Sequence, residues 1–167
     1  TYPTPTRIGQ WRKAVDRAAA LGADAIIAAA PDLLDYAAST HPMLARHLSV
    51  QGSATTHVAL RWYAERFDIA RAVLPRVLSV EQVERVCAAK VVPIEVFAFG
   101  SLCIMVEGRC QLSGFVTGAS PNRHGVCSPA RAVRWQEHAD GSRSVRLDGV
   151  MIDRFNADEP AGYPTVC

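Results

Sequence analysis

Four short runs of apolar and β-branched residues recur at nearly even spacing in the first part of the chain: Asp24 to Ala29, His47 to Gln51, Ala70 to Leu74 and Ile94 to Phe99. They read as strands. The stretches around them, Gly9 to Leu21, Pro31 to Ser39, Thr55 to Phe67 and Ser79 to Lys90, carry apolar positions at helical spacing. Such alternation predicts parallel strands joined by crossover helices. Helix starts are punctuated as the chemistry requires. Ser79 precedes Val80-Glu81-Gln82, a capping box, and Pro31 suits a first helical turn because its missing amide would have no partner there.

Each strand-helix unit takes about 22 to 25 residues, a compact repeat that fits a (β/α) barrel. The fold class expected is therefore α/β: a partial, TIM-like (β/α) barrel with parallel strands over residues 1–100, then a cysteine-rich segment over residues 101–167 of the same domain. The competing arrangement is an open doubly wound sheet. No Gly-x-Gly-x-x-Gly loop follows any of the four strands, which lowers a dinucleotide-binding reading.

After Phe99 the periodicity fades, and Gly100 to Arg131 holds three of the five cysteines among glycines and prolines. This segment leaves the C-terminal end of the fourth strand, the end where parallel β/α folds place ligands. Further on, Val133 to Arg154 reads as a hairpin turning at Asp140-Gly141.

The chain has 167 residues, 49% hydrophobic and 20% charged, within the range of a soluble globular domain. A formal charge of +2 supplies no overall basic excess that would nominate DNA or RNA. No apolar run reaches the length of a membrane span and no leader pattern is visible, so the expected location is cytoplasmic. The chain opens on Thr1 and stops on Cys167, from which we expect a fragment of a longer protein.

Cys103, Cys110, Cys127 and Cys167 admit three chemistries: unrelated buried thiols, disulfides or a metal site. Disulfides are disfavoured in a reducing compartment, and the tight Cys-x-x-Cys pairs usual for zinc are absent. Iron-sulfur clusters accept ligands from separated loops, so spacing leaves an iron-sulfur site, zinc and no metal all open. Cys87 stands apart: it lies one turn after Val83 on the helix bearing Val80 and Val86, and packing is its expected role.

The run from Glu95 to Cys110, Glu-Val-Phe-Ala-Phe-Gly-Ser-Leu-Cys-Ile-Met-Val-Glu-Gly-Arg-Cys, closely resembles the signature region of the U32 family. Thr117 to Asn122, Gly125 to Arg131, Ala161 to Cys167, His47 to Gln51 and Val73 to Ser79 resemble its oxygen-independent ubiquinone-biosynthesis branch. That resemblance implies one 4Fe-4S cluster on Cys103, Cys110, Cys127 and Cys167. It further implies a heterodimer with a UbiV-like U32 partner that hydroxylates the aromatic ring of a quinone precursor without molecular oxygen. The RNA-hydroxylating branch of the family is the nearer alternative. As the resemblance goes, that branch sets its third and fourth cysteines close together, whereas forty positions separate Cys127 from Cys167 here.

Peptidase activity, which the family's name advertises, finds no support in the residues. There is no His-Glu-x-x-His helix, no Gly-x-Ser-x-Gly elbow and no thiol beside an evident histidine base. Gln51 and Arg76, just past strand ends, and Arg109, between two cysteines, could bind an anionic substrate, or could satisfy loop amides, pair with a carboxylate and offset cluster charge. His124, three residues before Cys127, reads more simply as a loop histidine than as a ligand, and His57 as a solvated residue in a first helical turn.

Overall fold

The computed structural model describes residues 5–100, 114–115, 118 and 132–160. Contacts divide the chain into two units, Thr1–Gly108 and Arg109–Cys167.

The first unit alternates helix and strand: α1 (Ile8–Ala20), β1 (Ala25–Ala28), α2 (Pro31–Thr40), β2 (Ala45–Leu48), α3 (His57–Phe67), β3 (Arg71–Val73), α4 (Val80–Ala88) and β4 (Ile94–Glu95). The strands form one parallel sheet in the order β1-β2-β3-β4. Sequential order with crossovers of one hand brings every helix to the same face, and the packing agrees. Leu34 of α2, Leu60 of α3 and Val86 of α4 share a core with Leu48, Ala72 and Leu74, while Val15 of α1 and Ala37 of α2 pack with Ile26.

Register then assigns the other face. Ile27 pairs with His47 and His47 with Arg71, while Val73 pairs with Glu95. Among the described residues this second face carries no helix: Ile27 is 64% exposed, and Arg71 meets Glu95 at 3.5 Å with both side chains about half in water. Only Val73 in this row is buried.

Local chemistry explains the helix starts. Ser79 Oγ accepts from the Gln82 amide while the Gln82 side chain accepts from the Ser79 amide, so the expected capping box is present. Pro31 opens α2, and Thr56 Oγ1 accepts from the Ala59 amide at 3.2 Å to cap α3. The second strand sits two residues earlier than the apolar run suggested, because Val50–Gly52 turns as a short 3-10 segment after it. β4 keeps only Ile94–Glu95 of the expected Ile94 to Phe99. One packing expectation is overturned: Cys87 is exposed, since on α4 the buried position is its neighbour Val86.

The second unit is a three-stranded antiparallel sheet, β5 (Val133–Glu137), β6 (Arg143–Leu147) and β7 (Val150–Phe155). Asp140 and Gly141 lie in the first connection as expected. The Gly141 amide donates to the His138 carbonyl and the His138 amide to the Ser142 carbonyl, a turn closed by a residue at φ 77°. Beyond the single hairpin expected, Asp148 and Gly149, at φ 49° and 84°, make a second two-residue turn that returns β7 along β6. Both central residues at positive φ is the signature of a type I′ turn. Val133, Val145 and Leu147 form the core of this unit, and Trp135 stacks on Phe155 with ring centroids 5.7 Å apart.

Candidate functional site

Parallel strands all point their C-terminal ends the same way, so one edge of the first sheet collects the residues that follow β2, β3 and β4. Gln51 lies there in the 3-10 segment after β2, where the Ser49 hydroxyl accepts from its amide at 3.3 Å. Arg76 follows β3 and is partly buried, with its guanidinium carbon 5.3 Å from the centroid of the Phe97 ring. Phe97 follows β4 and is 55% exposed, with Val96 at 48% and Phe99 fully in solvent beside it. A guanidinium laid on an aromatic face is held there by cation–π attraction. The edge therefore offers a cation, an amide side chain and exposed rings, a combination suited to a flat or anionic group.

Phe97 and Phe99 lead directly to the cysteine-bearing segment. Cys103, Cys110, Cys127 and Cys167 lie outside the described residues, as do Arg109 and His124. Among the described residues no group of three or more His, Cys, Asp or Glu side chains is arranged to hold a metal. Four thiolates are a donor set that suits iron-sulfur clusters. His57 begins α3 on the helix side and is exposed, in a groove of about 700 Å³ that also takes in Thr56, Val58, Val77, Gln82 and Arg85.

Two polar clusters were not anticipated from the sequence. Arg46, which precedes the run expected as a strand from His47 and lies within β2, is only 3% exposed. Its guanidinium donates to the carbonyls of Leu44 at 2.8 Å and Phe67 at 3.0 Å and to the Asp68 carboxylate at 2.7 Å, tying the entry to β2 to the end of α3. On α1, Asp16 Oδ1 accepts from the Tyr36 hydroxyl and lies 2.8 Å from His41 Nε2, bracing α1 against α2. These hydrogen bonds, from His41 first and Tyr36 second, hold the Asp16 carboxyl below its ordinary value, and the same carboxylate raises the Tyr36 phenol. α2 ends beside His41, ahead of the start of β2, so this cluster belongs to the end of the sheet opposite Gln51 and Arg76. Its role is to fix helices.

The family model for peptidase family U32 matches residues 1–154. The chain belongs to this family. This U32 chain is 34% identical over 134 residues to tRNA hydroxylation protein P of Escherichia coli K12, an alignment covering 78% of the chain and 28% of that protein. It is 28% identical over 140 residues to the 23S rRNA 5-hydroxycytidine C2501 synthase of the same strain, covering 84% of the chain and 21% of the synthase. It is also 34% identical over 132 residues to a collagenase of Porphyromonas gingivalis, covering 72% of the chain and 31% of that protein. The U32 chain thus spans about a fifth to a third of the length of these relatives. No solved structure matches it. Among the described residues no helix is long and apolar enough to cross a membrane.

Proposed function

We propose that this chain is the cluster-bearing part of a U32 protein that hydroxylates a ring in RNA, with Cys103, Cys110, Cys127 and Cys167 holding one 4Fe-4S cluster. The observation that carries the reading is the likeness to two proteins named for RNA hydroxylation, one acting on tRNA and one on 23S rRNA. The sequential strand order and one-sided helices further support a TIM-like (β/α) barrel, of which β1–β4 supply a part. In that arrangement the face bearing Ile27, His47 and Arg71 looks inward, and the edge with Gln51, Arg76 and Phe97 becomes the rim of the mouth.

When bound, a 4Fe-4S cluster supplies one-electron chemistry. The residues of the chain would do the rest: Phe97 offers a stacking surface for a base, and Arg76, positioned on it, a cation for an anionic group. Peptidase chemistry gains no support: among the described residues the serine hydroxyl that meets a histidine, Ser144 at 3.0 Å from His138 Nε2, is fully buried.

A second reading keeps the hydroxylation and changes the substrate to a ubiquinone precursor ring, with a UbiV-like partner. The forty positions between Cys127 and Cys167 favour it.

Anaerobic cultures lacking the gene, complemented with the full-length protein or with Cys103→Ala or Cys127→Ala, test both readings in one experiment. Mass spectrometry would quantify hydroxylated nucleosides in tRNA and rRNA alongside ubiquinone. Loss of a hydroxylated nucleoside, unrestored by the variants, supports the RNA reading. Loss of ubiquinone with intact nucleosides moves the substrate to the second reading, and loss of neither rejects the hydroxylation role. In parallel, protein purified without oxygen should carry about four irons, lost in the variants.

A further inference from the structure

The antiparallel sheet of the second unit separates its charges by face. Residues directly opposite one another in a sheet share a face. Val133 pairs with Leu147 and Trp135 with Val145, so these rows form the core side. The alternate rows pair Arg134 with Arg146, Gln136 with Ser144, Ser144 with Arg154 and Arg146 with Met151, all on the other side. Three arginines thereby share one face, and two of them sit directly opposite each other across neighbouring strands.

Like charges directly opposite are destabilising, and the sheet does little to offset this pair. Arg134 Nη1 donates to the Val133 carbonyl at 2.9 Å and Arg146 Nη1 to the Gly149 carbonyl at 3.0 Å, both neutral acceptors. Arg154 does meet a carboxylate, Asp140, at 3.1 Å, and the Ser142 hydroxyl at 2.9 Å. The remaining acids of the sheet lie elsewhere: Glu137 and Asp153 fall in core-side rows, and Asp148 is in a turn. Arg134 and Arg154 are exposed, and His138 stands at the end of the same face with Nε2 3.0 Å from Ser144 Oγ.

We propose that the face bearing Arg134, Arg146 and Arg154 binds the phosphate backbone of an RNA, with the Arg134 and Arg146 pair as its centre. An anion held between two guanidinia turns their repulsion into attraction, and planar forked donors match phosphate oxygens. Gln136, in the row between them and Arg154, adds a side-chain amide donor. The overall charge of the chain conceals this face, because the acids of the same sheet cancel it in a sum over residues without facing the same ligand. The inference rests on the RNA reading above and assigns that substrate a surface.

The test uses full-length protein purified without oxygen and labelled total tRNA, with affinity measured across a range of salt concentrations. Arg134→Ala/Arg146→Ala should weaken binding about tenfold or more and make the salt dependence shallower by about two charges. Arg66→Ala, an exposed arginine of α3, should change neither. If the double variant fails to fold, as judged by its thermal transition, the single Arg134→Gln and Arg146→Gln variants replace it, each expected to lower the slope by about one. Wild-type affinity and slope in the variants, an equal loss with Arg66→Ala, or no tRNA binding by the wild type overturns the proposal. Where cultures show gene-dependent nucleoside hydroxylation but the arginine variants bind normally, this face is wrong and the RNA reading stands. Where hydroxylation is independent of the gene, the reading beneath it fails.

Discussion

Arg46 and Asp68 form an ion pair with one partner in the interior and the other in water: Nη2 lies 2.7 Å from Oδ2, while the side chains are 4% and 91% exposed. The asymmetry predicts unequal costs. Arg46→Ala orphans carbonyls of Leu44 and Phe67 that the guanidinium satisfies and should cost about 3 kcal/mol. Asp68→Asn keeps a residue that tolerates the left-handed conformation at φ 49° and gives up a carboxylate in solvent, so its cost should stay below about 1 kcal/mol. Urea unfolding of both variants checks this, and equal losses would contradict the clamp.

Cys87 and Val86 are neighbours on α4 with opposite environments, one exposed and one 6% exposed. Cys87→Ser should change stability by no more than about 0.5 kcal/mol, whereas Val86→Ala, beneath α4, should cost on the order of 2 kcal/mol. A large loss in the serine variant would restore the packing role that the sequence suggested.

Asp140 accepts from the Ser142 hydroxyl and the Ser142 amide, and these bonds hold its carboxyl below the ordinary 3.8. A folded-state value below the unfolded one means that the stabilisation is fully present above 3.8 and is lost as pH falls through the folded value. The thermal midpoint of wild type should therefore exceed that of Asp140→Asn at neutral pH, with the gap closing in acid. A gap independent of pH would exclude the carboxylate as its source.

Gly149 occupies φ 84° in the turn between β6 and β7, where nothing within 4 Å would meet an added Cβ. Gly149→Ala should thus cost about 1 kcal/mol through backbone strain alone. Asp148→Asn, at φ 49°, should be nearly neutral, since asparagine also tolerates this conformation. Amide hydrogen exchange along β7 would reveal the loosening in the first variant and its absence in the second.

Much of this fold was legible in sequence because its signals are local. The capping box at Ser79, the Pro31 start and the apolar runs of the four strands act within a few residues, and each lies in the structure close to where the pattern put it. The same kind of signal existed at Asp148-Gly149, and β7 could have been read from it. The run from Glu95 to Cys110 pointed to a family without pointing to a geometry, and Cys103, Cys110, Cys127 and Cys167 lie outside the described residues. What the tertiary structure decided is everything that depends on pairing between distant segments. Register put Arg134 opposite Arg146, and packing buried Arg46 and left Cys87 in water. Hydropathy predicts the side on which a residue prefers to lie, but a buried guanidinium is tolerable only where carbonyls from separate loops converge on it. That convergence is a property of the folded chain.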